Sequence, residues 1–102
     1  MPRPRAQSVV IGVTGASGAI YAQRLLRAVV RQVEIVHFTM SQRGAQVFNY
    51  ELGLDLSLKN FDPEPLLGFR PANLRFWHPA DLNAPFASGS AAADAMVIVP
   101  CS

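Results

Sequence analysis

The sequence has little of what disulfide-rich, metal-binding or nucleic-acid-binding proteins need. Cys101 is the one cysteine, so an internal disulfide is excluded and a reducing, cytoplasmic location is expected. The histidines, His37 and His78, lack the spacing of a metal-ligand set, so no metal site is expected. Charged residues make up 16% of the chain, and the basic ones are scattered. A nucleic-acid partner is therefore not expected.

Long apolar runs are also absent. None approaches the roughly 20 residues that a membrane-spanning helix requires, and the first run breaks at Thr14 and Gly15, unlike a secretory signal. Half of the residues are nevertheless hydrophobic, which excludes a disordered chain. The length of 102 residues allows one domain, and we expect a flexible leader over 1–8 and a single folded domain over 9–102.

The sequence alternates short apolar runs with amphipathic stretches. A β-branched run from Val9 to Val13 predicts a strand covered on both faces, as in a parallel sheet. The next apolar residues recur at helical spacing, at Ala22, Leu25, Leu26 and Val29. This spacing predicts an amphipathic helix with Arg24 and Arg27 on its solvent-exposed face. A further β-branched run predicts a second strand over Val33 to Phe38.

The same order of strand, turn and helix then repeats. Ser41 is a candidate helix cap, and the helix after it is expected to end at Gly53. Leu74 to Trp77 is a candidate short strand, and Met96 to Val99 is predicted to be a buried strand that stops at Pro100. This pattern predicts an α/β fold: a Rossmann-like, doubly wound parallel sheet in three α/β/α layers, with the front half present. Ligands of such sheets bind beyond the carboxyl ends of the strands.

The turn after the first strand is rich in glycine, with Gly12, Gly15 and Gly18 three residues apart. This spacing is not that of a dinucleotide-binding turn, and no phosphate-loop lysine follows, which disfavours NAD and ATP. Backbone N–H groups at a helix N-terminus, together with the Ser17 hydroxyl, attract phosphate. The alternative is that these glycines merely permit a tight turn, and the turn alone leaves both interpretations open.

Three stretches together carry a family resemblance: TGASGAIYAQRLL, MSQRGAQVF and APFASGSAAADAMVIVPCS. They resemble the flavin prenyltransferase (UbiX) family of FMN-containing flavoproteins, and the resemblance extends from Val9 to Ser102. It implies a Rossmann-like sheet that holds FMN without a metal, in a homo-oligomer that is usually a dodecamer. It also implies transfer of a dimethylallyl group from dimethylallyl phosphate to N5 and C6 of reduced FMN. A UbiD-type decarboxylase would use the prenylated flavin, in ubiquinone biosynthesis or in aromatic-acid decarboxylation.

The resemblance assigns roles to individual residues. Glu51 and Ser17 are implied in catalysis, with Glu51 handling a proton during ring closure. The implied FMN contacts are Gly15, Ala16, Ser17, Ser41 and Ser102. The implied small-residue wall of the prenyl pocket is Ala87, Ser88, Gly89 and Ser90, with Leu82 where many members of the family have a tryptophan. Because an aromatic face stabilises an allyl cation by about 0.5 to 2 kcal/mol, Leu82 implies an altered rate or prenyl-donor preference.

Plainer interpretations remain open at this point. Ser41 is equally well a simple helix cap, Glu51 a solvated carboxylate, and His37 a packed or hydrogen-bonded strand residue. Two other functions remain, an FMN-dependent cysteine decarboxylase of the same group and a non-catalytic FMN-binding subunit. The P-x-S-A-N-T-like stretch of the cysteine decarboxylases is absent from the sequence, which disfavours the first. Because the family runs to about twice this length, we expect a chain of 102 residues to be inactive alone.

Overall fold

Four parallel strands form the centre of the part of the fold that the structure describes. The structure is a computed structural model, and it describes residues 8–15, 17–81, 84 and 95–99. The strands are β1 (Ser8–Val13), β2 (Ile35–Met40), β3 (Leu74–Phe76) and β4 (Ala95–Val99). They lie in the order β3-β2-β1-β4, and every neighbouring pair is parallel. The predicted α/β class with a parallel, Rossmann-like sheet is confirmed.

The three helices of the described residues pack on one face of this sheet. They are α1 (Ala19–Val29), α2 (Gln42–Leu52) and the short α3 (Glu64–Leu67). The buried sheet residues beneath them are Val9, Ile11, Val13, Val36, Phe38 and Met40. Because side chains alternate between the two faces of a strand, His37 and Thr39 of β2 lie on the opposite face. Both are half-buried.

The strand boundaries differ from the predicted ones by one or two residues. β2 begins at Ile35 rather than Val33, because the Val33 N–H donates to the Val29 carbonyl, 3.2 Å away, and so belongs to the turn that ends α1. The candidate strand Leu74 to Trp77 is confirmed as β3, which ends at Phe76 and pairs with β2. β1 begins at Ser8, which was predicted to be the last residue of the leader.

β4 is more exposed than its apolar sequence predicts. Met96 is 58% exposed and Ile98 44% exposed, whereas Val10 of β1 is 1% exposed. Among the described residues β4 pairs with β1 alone, and no helix of these residues packs against it closely. The apolar run therefore identified the strand correctly but not its burial. The prediction that β1 is covered on both faces is confirmed.

The carboxyl ends of the strands meet at one edge of the sheet. The Thr14 N–H donates to the Val99 carbonyl across 3.0 Å, and the Ser41 N–H donates to the Val13 carbonyl across 2.9 Å. The ladder of the sheet thus continues into the turns that follow β1 and β2. These two turns therefore lie side by side, and they carry the glycine and serine residues that the sequence singled out.

Candidate functional site

The turn after β1 leads into α1 without a capping side chain of its own. Gly18 is the N-cap residue of α1, with φ of 103° and ψ of 30°. A positive φ of this size strains any residue with a Cβ, so glycine suits the position. Glycine has no side chain to accept a hydrogen bond from the first turn of the helix, and that turn contains no acidic residue. The exposed N–H groups at the start of α1 therefore need an acceptor from elsewhere.

That acceptor is Glu51, in the last turn of α2. Its Oε1 atom accepts hydrogen bonds from the Gly18 N–H at 3.1 Å and from the Ala19 N–H at 2.9 Å. A carboxylate at a helix N-terminus is also favoured by the helix dipole. Glu51 therefore caps α1 from 33 residues away in sequence, rather than being a solvated carboxylate without a partner. Sequence reasoning missed this contact, for which the uncapped Gly18 was the available signal.

The turn after β2 has a local cap instead. Ser41 has extended backbone angles, φ −70° and ψ 163°, and its Oγ accepts a hydrogen bond from the Gly44 N–H at 2.9 Å. The interpretation of Ser41 as an N-cap is confirmed, as is the predicted helix end at Gly53. A serine hydroxyl that accepts one bond still has its own hydrogen to donate. The cap therefore does not prevent Ser41 from also contacting a ligand.

Two glycines allow α2 to lie directly against the turn after β1. A Cβ added at Gly44 would lie 2.8 Å from the Val13 carbonyl oxygen. A Cβ added at Gly15 would overlap the Arg43 side chain, with 2.6 Å to the Arg43 Cβ. Real Cβ atoms do not approach other heavy atoms this closely. Larger residues at either position would therefore push α2 away from the turn.

A small cavity lies where α2 meets this turn. Its volume is about 260 Å³, and its lining is Gly15, Arg43, Gln46, Val47, Tyr50 and Glu51. The cavity brings together two residues that the sequence assigned to the site, Gly15 and Glu51. It adds Arg43, which the sequence analysis did not single out. Ser17 is exposed in the same turn, and Ser41 lies two residues before Arg43.

Several predicted site residues lie outside the described residues, so the structure neither groups nor separates them. They are Ala16, Leu82, Ala87, Ser88, Gly89, Ser90 and Ser102. Their assignment to the flavin site and to the prenyl pocket stays a prediction. The described part of the site is the turn after β1, the Ser41 cap and the adjoining side of α2.

A larger groove lies on the neighbouring face of α2. Its volume is about 350 Å³, and its lining is Gln42, Ala45, Gln46, Asn49, Leu56, Ser57, Leu58, Lys59 and His78. It shares Gln46 with the smaller cavity but contains none of the predicted site residues. Size alone favours this groove. The smaller cavity is the better candidate because it joins the glycine-rich turn to a carboxylate and a guanidinium.

His37 forms a separate polar contact, on the face of the sheet opposite the helices. The Trp77 Nε1–H donates to His37 Nδ1 at 3.0 Å, which confirms the prediction of a hydrogen-bonded histidine. Burial, and secondarily the positive charge of Arg75, lower the pKa of His37. The neutral imidazole that results keeps the Nδ1 lone pair that the Trp77 hydrogen bond requires.

The residues that the structure describes contain neither a candidate metal cluster nor a candidate membrane-spanning helix. Over this part of the chain, no group of three or more histidine, cysteine, aspartate or glutamate side chains is placed to hold a metal ion. Within the same residues, no helix has the length and apolarity needed to cross a bilayer.

The fold and its two turns define a parallel α/β protein with polar turns at the carboxyl edge of its sheet. The chain belongs to the flavoprotein family, whose family model matches residues 3–102. It is 39% identical over 94 residues to flavin prenyltransferase UbiX of Alkalihalophilus pseudofirmus, covering 92% of this chain and 47% of that protein. The chain spans about half the length of the curated relatives it matches.

Solved structures show the same similarity. AnUbiX, solved in complex with FMN and dimethylallyl pyrophosphate, superposes with a TM-score of 0.67 at 33% identity, over 95% of this chain and 46% of its own. A dodecameric FMN-dependent UbiX-like decarboxylase from Escherichia coli has a TM-score of 0.67 at 30% identity, over 93% of this chain and 47% of its own. The resemblance stated from the sequence motifs is confirmed.

Proposed function

We propose that this chain supplies the glycine-turn side of the active site of a flavin prenyltransferase. The reaction transfers a dimethylallyl group from dimethylallyl phosphate to reduced FMN. The observation that carries the proposal is the contact between the turn after β1 and α2, which places Gly15 and Glu51 around one cavity. The relatives named flavin prenyltransferases support this reaction over the cysteine decarboxylation considered above.

The groups around the turn fit a phosphorylated flavin. Ser17 is exposed in the turn, and the Ser41 hydroxyl keeps a hydrogen to donate beyond its cap. Hydroxyl and backbone donors near helix N-termini suit phosphate oxygens. We therefore propose that FMN is held by Gly15, Ala16, Ser17, Ser41 and Ser102, and that Leu82, Ala87, Ser88, Gly89 and Ser90 line the prenyl pocket.

The first N–H groups of α1 already have an acceptor within the protein. The Gly18 and Ala19 N–H groups already donate to Glu51. These two groups are therefore not the phosphate donors that the sequence suggested. Ser17, one residue earlier, is the better candidate to donate to phosphate oxygens.

The chemistry assigns two tasks to the protein side chains. Reduced FMN, when bound, supplies the N5 and C6 atoms to which the prenyl carbons are joined. Departure of the allylic phosphate builds negative charge on its oxygens, and a hydrogen bond from the Ser17 hydroxyl would stabilise that charge. Glu51 binds the α1 amides through Oε1. Its Oε2 atom would therefore accept the proton that is removed when the prenyl group is joined to C6 of the flavin.

The partners follow from the same proposal. A dodecameric relative supports a homo-oligomer for this protein, with the dodecamer as the proposed assembly. The prenylated flavin would be released to a UbiD-type decarboxylase, in ubiquinone biosynthesis or aromatic-acid decarboxylation, and we place this step in the cytoplasm. A metal ion and nucleic acid have no part in the proposed reaction.

The test is the mass of the flavin after an anaerobic reaction. The purified full-length protein is incubated with reduced FMN and either dimethylallyl phosphate or dimethylallyl pyrophosphate, with a control that lacks the prenyl donor. A flavin heavier by one five-carbon unit, in the presence of donor alone, is expected. Bound FMN whose mass never changes would contradict prenyl transfer and would leave flavin binding as the function.

A further inference from the structure

Arg43 occupies a position next to the turn after β1 that the fold does not explain. The aliphatic part of its side chain lies where a Cβ at Gly15 would be, and the residue lines the same cavity as Glu51. The residue as a whole is exposed. Its stem is therefore fixed against the turn, whereas its guanidinium is accessible to a ligand in the cavity.

The positive charge of Arg43 contributes little to the stability of the fold. Arg43 stands in the first turn of α2, two residues after the Ser41 cap, where the helix dipole disfavours a positive charge. Among the residues that the structure describes, ion pairs join Arg70 to Asp62 and Glu64, and none within 4 Å involves Arg43. The nearby Glu51 carboxylate is already bound to the α1 amides through Oε1. The positive charge of Arg43 is therefore available to an anion.

We propose that Arg43 is a phosphate-binding residue of this site. A guanidinium offers paired N–H donors that match the oxygens of a phosphate monoester, and it stays charged at every physiological pH. Both ligands of the proposed reaction, FMN and dimethylallyl phosphate, carry such a group. The inference rests on the proposed function and adds to it a phosphate-binding side chain on α2, beyond the serines that the resemblance assigned.

The test removes the charge and keeps the stem. Arg43→Gln retains the Cβ, Cγ and Cδ positions that pack beside Gly15. The matched control is Arg31→Gln, which removes the same charge from an exposed residue in the turn between α1 and β2, at the opposite edge of the sheet. Thermal unfolding of both variants verifies that they fold. Affinities for FMN and for riboflavin, which lacks the phosphate, are then measured, followed by the KM for dimethylallyl phosphate at saturating reduced FMN.

The two ligands give separate results. If Arg43 binds the flavin phosphate, Arg43→Gln weakens FMN binding by about tenfold and leaves riboflavin binding unchanged. If it binds the prenyl donor, FMN affinity is unchanged and the KM for dimethylallyl phosphate rises by about tenfold. Either effect should shrink as salt is added, and neither should occur in Arg31→Gln.

Two negative outcomes are distinguishable. If the unmodified protein binds FMN and makes prenylated flavin, but Arg43→Gln matches Arg31→Gln in every measurement, then the assignment of Arg43 is wrong and the proposed function stands. If the unmodified protein binds no FMN, then the proposed function fails, and the phosphate role of Arg43 fails with it.

Discussion

The two strand-to-helix turns at the carboxyl edge satisfy their helix N-termini in opposite ways. After β2, Ser41 caps its own helix through a hydrogen bond to the Gly44 N–H three residues on. After β1, Gly18 offers no side chain, and Glu51 reaches over from the end of α2 to accept the first amides of α1. The first cap is a property of a short segment. The second exists because α2 lies against the turn.

This difference assigns separate tasks to the two turns. The local cap makes α2 a rigid element whose start is fixed at the end of β2. α2 then positions three features against the other turn: Gly44 on the Val13 backbone, Arg43 on Gly15, and Glu51 on the start of α1. The conformation of the glycine-rich turn therefore depends on α2. Mutations in α2 should alter flavin binding even when they touch no flavin atom.

The largest effect is expected from Gly44→Ala, which would separate the two turns. The new Cβ would lie 2.8 Å from the Val13 carbonyl oxygen, and overpacking against fixed backbone costs about 2 to 3 kcal/mol of unfolding free energy. Chemical denaturation measures the loss. The control is Gly53→Ala. A Cβ added at Gly53 has no heavy atom within 4 Å apart from those of its chain neighbours, so the substitution meets only the backbone strain of a positive φ of 66°. That strain costs about 1 kcal/mol of unfolding free energy. Equal losses in the two variants would contradict the proposed close contact.

Replacing Glu51 tests the long-range cap directly. Glu51→Ala removes the acceptor and should cost about 1 to 2 kcal/mol of stability, together with weaker FMN binding as the turn loosens. Glu51→Gln keeps an oxygen acceptor for the same amides, so its stability and FMN affinity should stay near those of the unmodified protein. Its prenyl transfer should still fall sharply, because an amide cannot take the proton.

Comparing Glu51→Ala with Glu51→Gln separates the two proposed roles of Glu51, capping of α1 and proton transfer. Glu34→Ala, at an exposed carboxylate outside both turns, is the control for loss of charge alone. Should Glu51→Ala and Glu51→Gln bind FMN equally well and unfold at the same denaturant concentration, the capping role would be refuted while the proton-transfer role remained.

Ser41→Ala should have a smaller effect, confined to the local cap. Loss of the Oγ acceptor for the Gly44 N–H is expected to cost about 1 kcal/mol. Ser41→Asp restores an acceptor and should recover the stability, but its negative charge should weaken binding of the FMN phosphate. Recovery of both properties in Ser41→Asp would show that Ser41 caps α2 without contacting the flavin.

The smallest effect is expected outside both turns, at His37. Because burial lowers its pKa in the folded protein, the unfolded chain binds a proton more readily. Stability from this group is therefore complete above the ordinary histidine pKa of about 6.5 and is lost as the pH falls from there through the lowered folded value. His37→Asn, whose Oδ1 can accept from Trp77, should reduce the pH dependence of urea unfolding in that range. An unchanged slope would contradict the assignment.

The sequence predicted the features that depend on short segments. The hydrophobic pattern located β1, both long helices and the presence of β4, and the cap at Ser41 and the end at Gly53 follow from residue type alone. β4 was predicted to be buried, and it is exposed within the described residues because no helix of these residues packs closely against it. β2 was placed two residues early, since Val33 is apolar but belongs to the preceding turn.

In the candidate site, too, the local features were predicted from the sequence and the long-range contacts were not. Its glycine and serine residues were identified from the sequence, because tight turns and small side chains leave a local pattern. Gly18 signals that α1 needs an acceptor from elsewhere, but the sequence does not show that Glu51 supplies it or that Arg43 packs on Gly15. Both contacts depend on how α2 packs against a turn more than 25 residues away in sequence. In the described residues, the chemical character of the cavity comes largely from this packing.

Amide chemical shifts during an FMN titration would test most directly whether the two turns form the flavin site. The account predicts the largest ¹H–¹⁵N shift changes at Gly15, Ser17, Gly18 and Ser41, with little change at Lys59 and His78. Changes centred instead on Lys59 and His78, which line the larger groove, would place the flavin on the other face of α2 and contradict the assignment of the site.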